Sequence, residues 1–340
     1  MNCTFPGTEW DHISSEEAGF NAEELDAVHT WLQALGRDLG WRVCIVRGGH
    51  LVAEWGEGMA RDEQISQASI DKSFISSLLG IAIQEGKIAG LDALVVDYFP
   101  EMLNIPPGEG PRPGRYAFEK DSAITFRQLV SQTSGYMKPD QHPGRQFHYQ
   151  TFGINIITHS IAKAYGLYDS CDPDRLPGCR RFLDARIRDP IGASWDSIRF
   201  NFEHPPGARV NIFGNGFSLM ATSLDMARAG WLWLNEGRWN RRQLIPEDYL
   251  REAVKTNPDV LACEPEKNWK YGLAFWTNDH GKLWSHMPRD AFAAAGAGAM
   301  HIFVCPSLDL VVTQTPGPWG DDGKAGMQEE LLMRIVDSLR

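Results

Sequence analysis

The sequence predicts an α+β protein: an antiparallel sheet built from both ends of the chain, flanked by helices, with a large and mostly helical region inserted between them. Three observations carry this reading. Two alternating runs at 42–46 and 51–55 flank Gly48-Gly49, a hairpin signature close to the start of the chain. Strand character returns after residue 264, in YGLAFWTN, GKLWSH, HIFVCP and LDLVVTQTP, with turn signals near 279–281 and at Ser307. From Ser69 to about residue 260 the apolar spacing is helical. The predicted division is 1–68 with 265–340 for the sheet and its terminal helices, and 69–264 for the helical region.

Taken in order, 14–36 reads as a helix, with Asn21 and Glu24 as a capping pair, Leu25, Val28, Trp31, Leu32 and Leu35 as the apolar stripe, and Gly36 as the stop. After the Gly48-Gly49 hairpin, ASIDKSFISSLLGIAIQEG opens the helical region. A Pro/Gly-rich loop, NIPPGEGPRPGRY, precedes a short helix in AITFRQLVSQTSGY. Further helices are read in TFGINIITHSIAKAYG, RRFLDARIRDPIG, SLMATSLDMARAGWLWLNEG and IPEDYLREAVK, and GMQEELLMRIVDSL closes the chain.

Composition narrows the function classes. With 340 residues, 43% hydrophobic and 23% charged, the chain can bury a large core as an ordinary soluble protein. Its net charge of -11 argues against nucleic-acid binding and against docking on anionic membranes. It also repels anionic substrates unless cations gather locally. Twelve tryptophans point to a broad aromatic surface in the core or a cleft. The N-terminal segment lacks a basic n-region and an apolar h-region, and no stretch approaches a transmembrane helix, so a cytoplasmic location is expected. Six scattered cysteines are then expected as free thiols, Cys171 and Cys179 included. No H-E-x-x-H or compact ligand cluster, Walker loop, GxGxxG or G-x-S-x-G elbow is present, so neither a metal nor a cofactor is expected.

Ser69 stands three residues before Lys72, one helical turn apart on one face. A lysine whose charge is disfavoured by burial can activate a neighbouring hydroxyl. By itself S-x-x-K is more often a capping serine and a solvated lysine. Two later stretches offer partners. PGRQFHYQTFG sets Tyr149 on a turn ahead of a helix, where its phenol can reach the seam between sheet and helices. FAAAGAGAMHIFVCP is a run of small residues against which another backbone, or a substrate, can lie closely.

ASIDKS with its helix, ITFRQLVSQTSGY, PGRQFHYQTFG, LDMARAGWLWLNEGRWNRRQLIP and AGAGAMHIFVCPSLDLVV together resemble the serine β-lactamase/penicillin-recognising superfamily, in its class C-like branch with family VIII carboxylesterases, 6-aminohexanoate-oligomer hydrolases and D-stereospecific amidases. The resemblance runs colinearly through nearly the whole chain. It implies a β-lactamase-like fold and an acyl-enzyme mechanism on a small ester or amide. Ser69 matches the nucleophile, Lys72 the lysine that takes its proton, and Tyr149 the tyrosine of Y-x-N. Ala295-Gly296-Ala297 matches the end of the K-T-G strand motif, so the backbone N–H groups of Ser69 and Ala297 would form the oxyanion hole. Thr151 stands where the motif has Asn, and Ala294 where it has a cation. Both departures argue against penicillin recognition and for a neutral ester or amide.

Gly296, Gly298, Thr151, His286 and Asn215 are further candidates for substrate contact. His286, with Arg289 and Asp290, can stand in for the missing cation or lie on a surface loop. Asn215 is a turn residue or a wall of the pocket. Asp71 tunes Lys72 or merely favours the helix N-terminus. His148 is not needed as a base beside Ser, Lys and Tyr. The competing readings are a β-lactamase or D-amino-acid peptidase, and a degenerate member that binds a ligand without turnover.

Overall fold

A computed structural model describes residues 4–35, 40–200, 216–319 and 326–340. The first helix, α1, runs Ala22–Leu35, and the Asn21 side chain caps it by accepting from the Glu23 N–H at 3.1 Å. The expectation of a helix from residue 14 is corrected here. Ser14 and Glu17 bond each other's backbone N–H groups through their side chains, which closes a turn before the helix starts. The predicted stop at Gly36 lies outside the described residues.

Strands β1 (Trp41–Arg47) and β2 (His50–Glu57) pair across Gly48 and Gly49, whose φ values of +61° and +82° are those a tight hairpin needs. The remaining principal elements are β3 (Ile65–Ser66), α2 (Asp71–Gln84), α3 (Phe126–Val130), α4 (Phe152–Ala164), α5 (Cys179–Leu183), β4 (Asp196–Phe200) and β5 (Gly216–Ala221). Then follow α6 (Ser223–Leu234), α7 (Glu247–Ala253), β6 (Trp276–Thr277), β7 (Phe292–Gly296), β8 (Met300–Cys305), β9 (Leu310–Gln314) and α8 (Met327–Asp337).

The main sheet has the order β2-β1-β9-β8-β7-β6, antiparallel throughout. Strand β9 joins its two halves: Gln314 is in register with Val43 on one side and with His301 on the other. Alternation along the strands divides the core. Val43, Ile45, Phe303 and Val312 face α1 and α8, where they meet Leu25, Leu32, Leu331 and Ile335. Cys44, Val46, Ile302, Val304 and Val311 face the other way, into the larger core shared with α2, α4 and α6. A second, three-stranded sheet, β3-β5-β4, lies within the helical part.

One predicted hairpin is absent. GKLWSH forms a loop rather than a strand, and β6 pairs instead with Phe292 and Ala293. The physical reason is Asn278. Its side chain accepts from the Trp284 N–H at 2.9 Å and donates to the Met287 and Pro288 carbonyls at 3.2 and 3.0 Å, folding the segment onto itself. Eight tryptophans (Trp10, Trp41, Trp195, Trp231, Trp233, Trp239, Trp284 and Trp319) are buried, so most of the aromatic excess belongs to the cores. No described helix is long and apolar enough to cross a membrane. Cys44, Cys171, Cys179, Cys263 and Cys305 are free thiols.

Candidate active site

The chain reaches Ser69 under tension. Gln67 is fully buried and ties the approach to β5: its N–H donates to the Leu219 carbonyl at 2.9 Å and its side-chain amide to the Ala221 carbonyl at 3.1 Å. Ala68 then takes φ +51°, a left-handed conformation that a residue with a Cβ adopts only when its surroundings hold it there. A 3-10 turn, Ala68–Ile70, carries Ser69 directly into α2. Every residue of α2 from Asp71 to Ala82 is buried. Phe74 is wedged between Trp195 and Trp233, with ring centroids at 5.3 and 5.2 Å. The Ser73 hydroxyl donates to the Ala274 carbonyl at 2.6 Å. The nucleophile candidate therefore sits on a rigid support.

Lys72 is 4% exposed, and its Nζ donates to Ser69 Oγ at 2.8 Å. Burial pushes its pKa down from the usual lysine range to about 8, against the charge of Asp71. The positive end of α2 acts in the same direction as burial. Asp71 is also buried, and burial pushes its carboxyl up, opposed by the Leu219 N–H, by Lys72 and by the Ser218 hydroxyl. Asp71 thus links the start of α2 to β5 as well as to Lys72.

Tyr149 comes from the segment before α4. That segment is pinned to Gln132, whose carbonyl accepts from the His148 N–H at 2.8 Å and whose side chain accepts from the Gln150 N–H at 2.7 Å. The Lys72 ammonium lies 4.9 Å from the centroid of the Tyr149 ring. Burial raises the phenol's pKa, and its hydrogen bond with the Ser69 side chain opposes the rise. Behind it, Trp276 lies near-parallel at 6.1 Å and Tyr271 stands edge-on at 6.0 Å, forming an aromatic shelf. Ser69, Lys72 and Tyr149 are brought together.

The end of β7 closes the other side. A Cβ on Gly296 would stand 2.4 Å from the Gln67 carbonyl oxygen and 3.1 Å from the Ser69 nitrogen. Ala297 follows, exposed, at the first position of the turn into β8, and Gly298 sits in that turn at φ +82°. Ala294 is fully buried and belongs to the larger core. Gly296→Ala is expected to push β7 away from Ser69 and to lower kcat by about 10²-fold, with little change in far-UV circular dichroism. Wild-type kcat in this variant would show that the close approach is unimportant.

A cavity of about 240 Å³ adjoins the pair, lined by Ser69, Lys72, Ile75, Thr151, Asn155 and Phe217 among others. Thr151 occupies the N-cap position of α4 without capping it. Asn155, one turn further along the same face, is buried and was missed by sequence reasoning, although its i+4 spacing from Thr151 could have found it. The aromatic shelf gave no local signal, since Tyr271 and Trp276 are far from Tyr149 in the chain.

The remaining candidates lie elsewhere. His286 is exposed on the loop between Trp284 and Met287, which pack on the outer core beneath α1 and α8. Asp290 is held at the far end of β7, accepting from the Ser307 N–H at 2.6 Å and hydroxyl at 2.8 Å. Arg289 borders a separate cleft with Arg238 and Lys255. Asn215 lies outside the described residues. The imidazole of His148 is pushed down by burial and by the charges of Lys138 and Arg115. Among the described residues no group of three or more His, Cys, Asp or Glu could hold a metal ion.

A sheet made from both ends of the chain, with a helical part packed on one face and terminal helices on the other, defines a class: the fold is that of the β-lactamase-like serine hydrolases. The chain belongs to the Beta-lactamase family, whose profile matches residues 30–315. The fold recurs in several solved structures. EstCE1, described as a hydrolase with promiscuous acyltransferase activity, is 13% identical, with a TM-score of 0.66 over 96% of this chain and 99% of its own. A penicillin-binding protein homolog from Caulobacter crescentus is 16% identical, with a TM-score of 0.63 over 88% and 93% of the two chains. A D-stereospecific amidohydrolase from Streptomyces sp. is 17% identical, with a TM-score of 0.61 over 91% and 98%.

Proposed function

We propose that the protein cleaves a small ester or amide through an acyl-enzyme on Ser69. The observation that carries this reading is the 2.8 Å contact between Ser69 Oγ and the buried Nζ of Lys72. In its neutral form Lys72 takes the hydroxyl proton as Ser69 attacks the carbonyl carbon. The N–H groups of Ser69 and Ala297 hold the oxyanion, beside the positive end of α2. The proton passes through Tyr149 to the leaving alcohol or amine. Water, activated by the same pair, then attacks the acyl-enzyme, and the acid departs as Ser69 recovers its proton.

Ala294 and Thr151 set this reading apart from a β-lactamase. A methyl group cannot pair with a β-lactam carboxylate, and the single oxygen of a threonine hydroxyl cannot present an amide's separate NH2 donor and carbonyl acceptor. The test is p-nitrophenyl butyrate beside nitrocefin, on the wild type and on Tyr149→Phe. The wild type is expected to turn over the ester with kcat/KM at least about 10²-fold above nitrocefin. Tyr149→Phe is expected to lower ester turnover by about 10² to 10⁴-fold. Equal turnover of nitrocefin would make the protein a β-lactamase instead, and full activity in Tyr149→Phe would remove the phenol from the mechanism.

A further inference from the structure

The chain is acidic overall, yet Arg112, Arg115 and Lys138 gather near the segment that carries Tyr149. Lys138 is 8% exposed, and among the described residues the charge acting appreciably on its ammonium is that of Arg115, a second cation. Arg115 Nη1 is buried without a hydrogen-bond partner, as is the side-chain oxygen of nearby Gln141. Arg112 acts on Arg115 in turn, and its guanidinium carbon lies 5.7 Å from the ring centroid of Phe152, the residue after Thr151. Other cations this enclosed are matched: Arg42 pairs with Glu54 at 2.7 Å, Lys163 with Glu101 at 2.6 Å, and Arg228 donates to the carbonyls of Ile191, Gly7 and Thr8.

The unmatched pair faces a cavity of about 280 Å³, lined by Arg115, Met137, Lys138, Asp140 and Gln141 among others. Met137, beside Lys138, takes φ +57°, so the loop that presents the ammonium is itself held in a strained conformation. The charges of Arg115 and Lys138 reach His148, and Tyr149 follows His148 directly. The Arg112 guanidinium lies over the ring of Phe152, the first residue of α4. The cationic cavity therefore neighbours the segment that carries Tyr149.

A largely enclosed ammonium beside a guanidinium, with Asp140 as the carboxylate lining their cavity, is short of counter-charge. An arriving monoanion relieves both groups and satisfies the orphaned guanidinium nitrogen. Asp140 lines the same space and opposes a dianion more than a monoanion. We propose that Arg115 and Lys138 form a carboxylate-binding subsite, which takes the free carboxylate of a substrate whose scissile ester or amide lies several bonds away at Ser69. This rests on the acyl-enzyme reading above for its catalytic half. It also replaces the expectation, drawn from Ala294, of a wholly neutral substrate: the anion is held on the helical side rather than by β7.

The test compares two p-nitrophenyl esters of equal length, the half-ester of adipate and its terminal carboxamide. The wild type is expected to favour the carboxylate by about tenfold in kcat/KM, through KM. That ratio is expected to fall toward one in Lys138→Met and, separately, in Arg115→Gln. A wild-type ratio near one, or a ratio unchanged in both variants, would overturn the subsite. A second arm needs no turnover: calorimetric titration of Ser69→Ala protein with adipate is expected to show binding that is lost when Lys138→Met is added. Adipate binding in a protein that cleaves no ester would leave the subsite standing and sink the acyl-enzyme reading. Ester cleavage with no adipate binding would do the reverse. Tighter binding of inorganic phosphate than of adipate would overturn the carboxylate assignment.

Discussion

Ser69→Ala is expected to abolish ester hydrolysis, with a fall of at least about 10⁴-fold in kcat, and to abolish covalent labelling by a fluorophosphonate. The loss follows from the position of the hydroxyl. Ser69 Oγ accepts from Lys72 Nζ, and its side chain also meets the Tyr149 phenol. Ser66 and Ser218 also line the cavity, but their hydroxyls bond each other at 3.2 Å and Ser218 bonds Asp71 rather than Lys72. The Ser73 and Ser77 hydroxyls are buried and spent on the Ala274 and Ser73 carbonyls. Thr151 also lines the cavity, from the N-cap position of α4. Alanine removes one oxygen from a partly open site, so the melting temperature should stay within a few degrees of wild type. Mass spectrometry of the labelled protein gives the decisive measurement. An adduct that survives in Ser69→Ala, or forms on another residue of the wild type, would falsify the nucleophile assignment.

The second large effect is a pH profile. kcat/KM is expected to rise with pH through a limb near 8 and to level off above it. Lys72 must be neutral to accept a proton, and its pKa is pushed down from 10.5 to about 8, mainly by burial. At pH 7 about a tenth of the protein then carries the free amine. The groups facing that amine are Asp71, which favours its charge, and the Tyr149 phenol. Lys72→Met is expected to lower kcat by about 10³-fold or more and to erase this limb. Its stability carries an independent sign. The folded pKa lies below the unfolded one, so between about pH 8 and 10.5 the unfolded chain binds more protons. Wild-type stability should therefore rise with pH across that window, while below it the full penalty of a buried charge applies. Lys72→Met removes the penalty and should melt higher at pH 7 while being inactive. A limb near 10, or one that persists in Lys72→Met, would assign the proton transfer to another group.

Local chemistry explains which parts of the molecule were legible in the sequence. The helix read from Ser218 begins only at Ser223, because Gly216–Ala221 pairs as strand β5, whereas the Gly48-Gly49 and Ser307 hairpins carry their signals within a few residues and form as expected. Ser69 and Lys72 are legible for the same reason, being one turn apart. Tyr149 needed the colinear motifs, because its neighbours in space, Ser69 and Trp276, are remote in sequence. The hairpin expected around 279–281 failed because one side chain, Asn278, offers the backbone a better set of partners than a second strand would. Helix α1 starts late because Ser14 and Glu17 satisfy each other's N–H groups first. The cations of Arg115 and Lys138 left no trace at all. A charged residue in a loop reads as solvated until the fold shows that it is enclosed and unmatched.

Strand β9 has a further consequence, for the making of the protein. It is the last of the described strands in chain order, yet it lies between β1, the first of them, and β8. Until it emerges, the first hairpin has no neighbour within the sheet, and β7 has nothing to brace it against Gln67 and Ser69 from behind β8. Ser69 is thus synthesised before the strands that complete its surroundings. A chain that ends before β9 carries Ser69 and Lys72 without the finished sheet that sets Gly296 against Ser69.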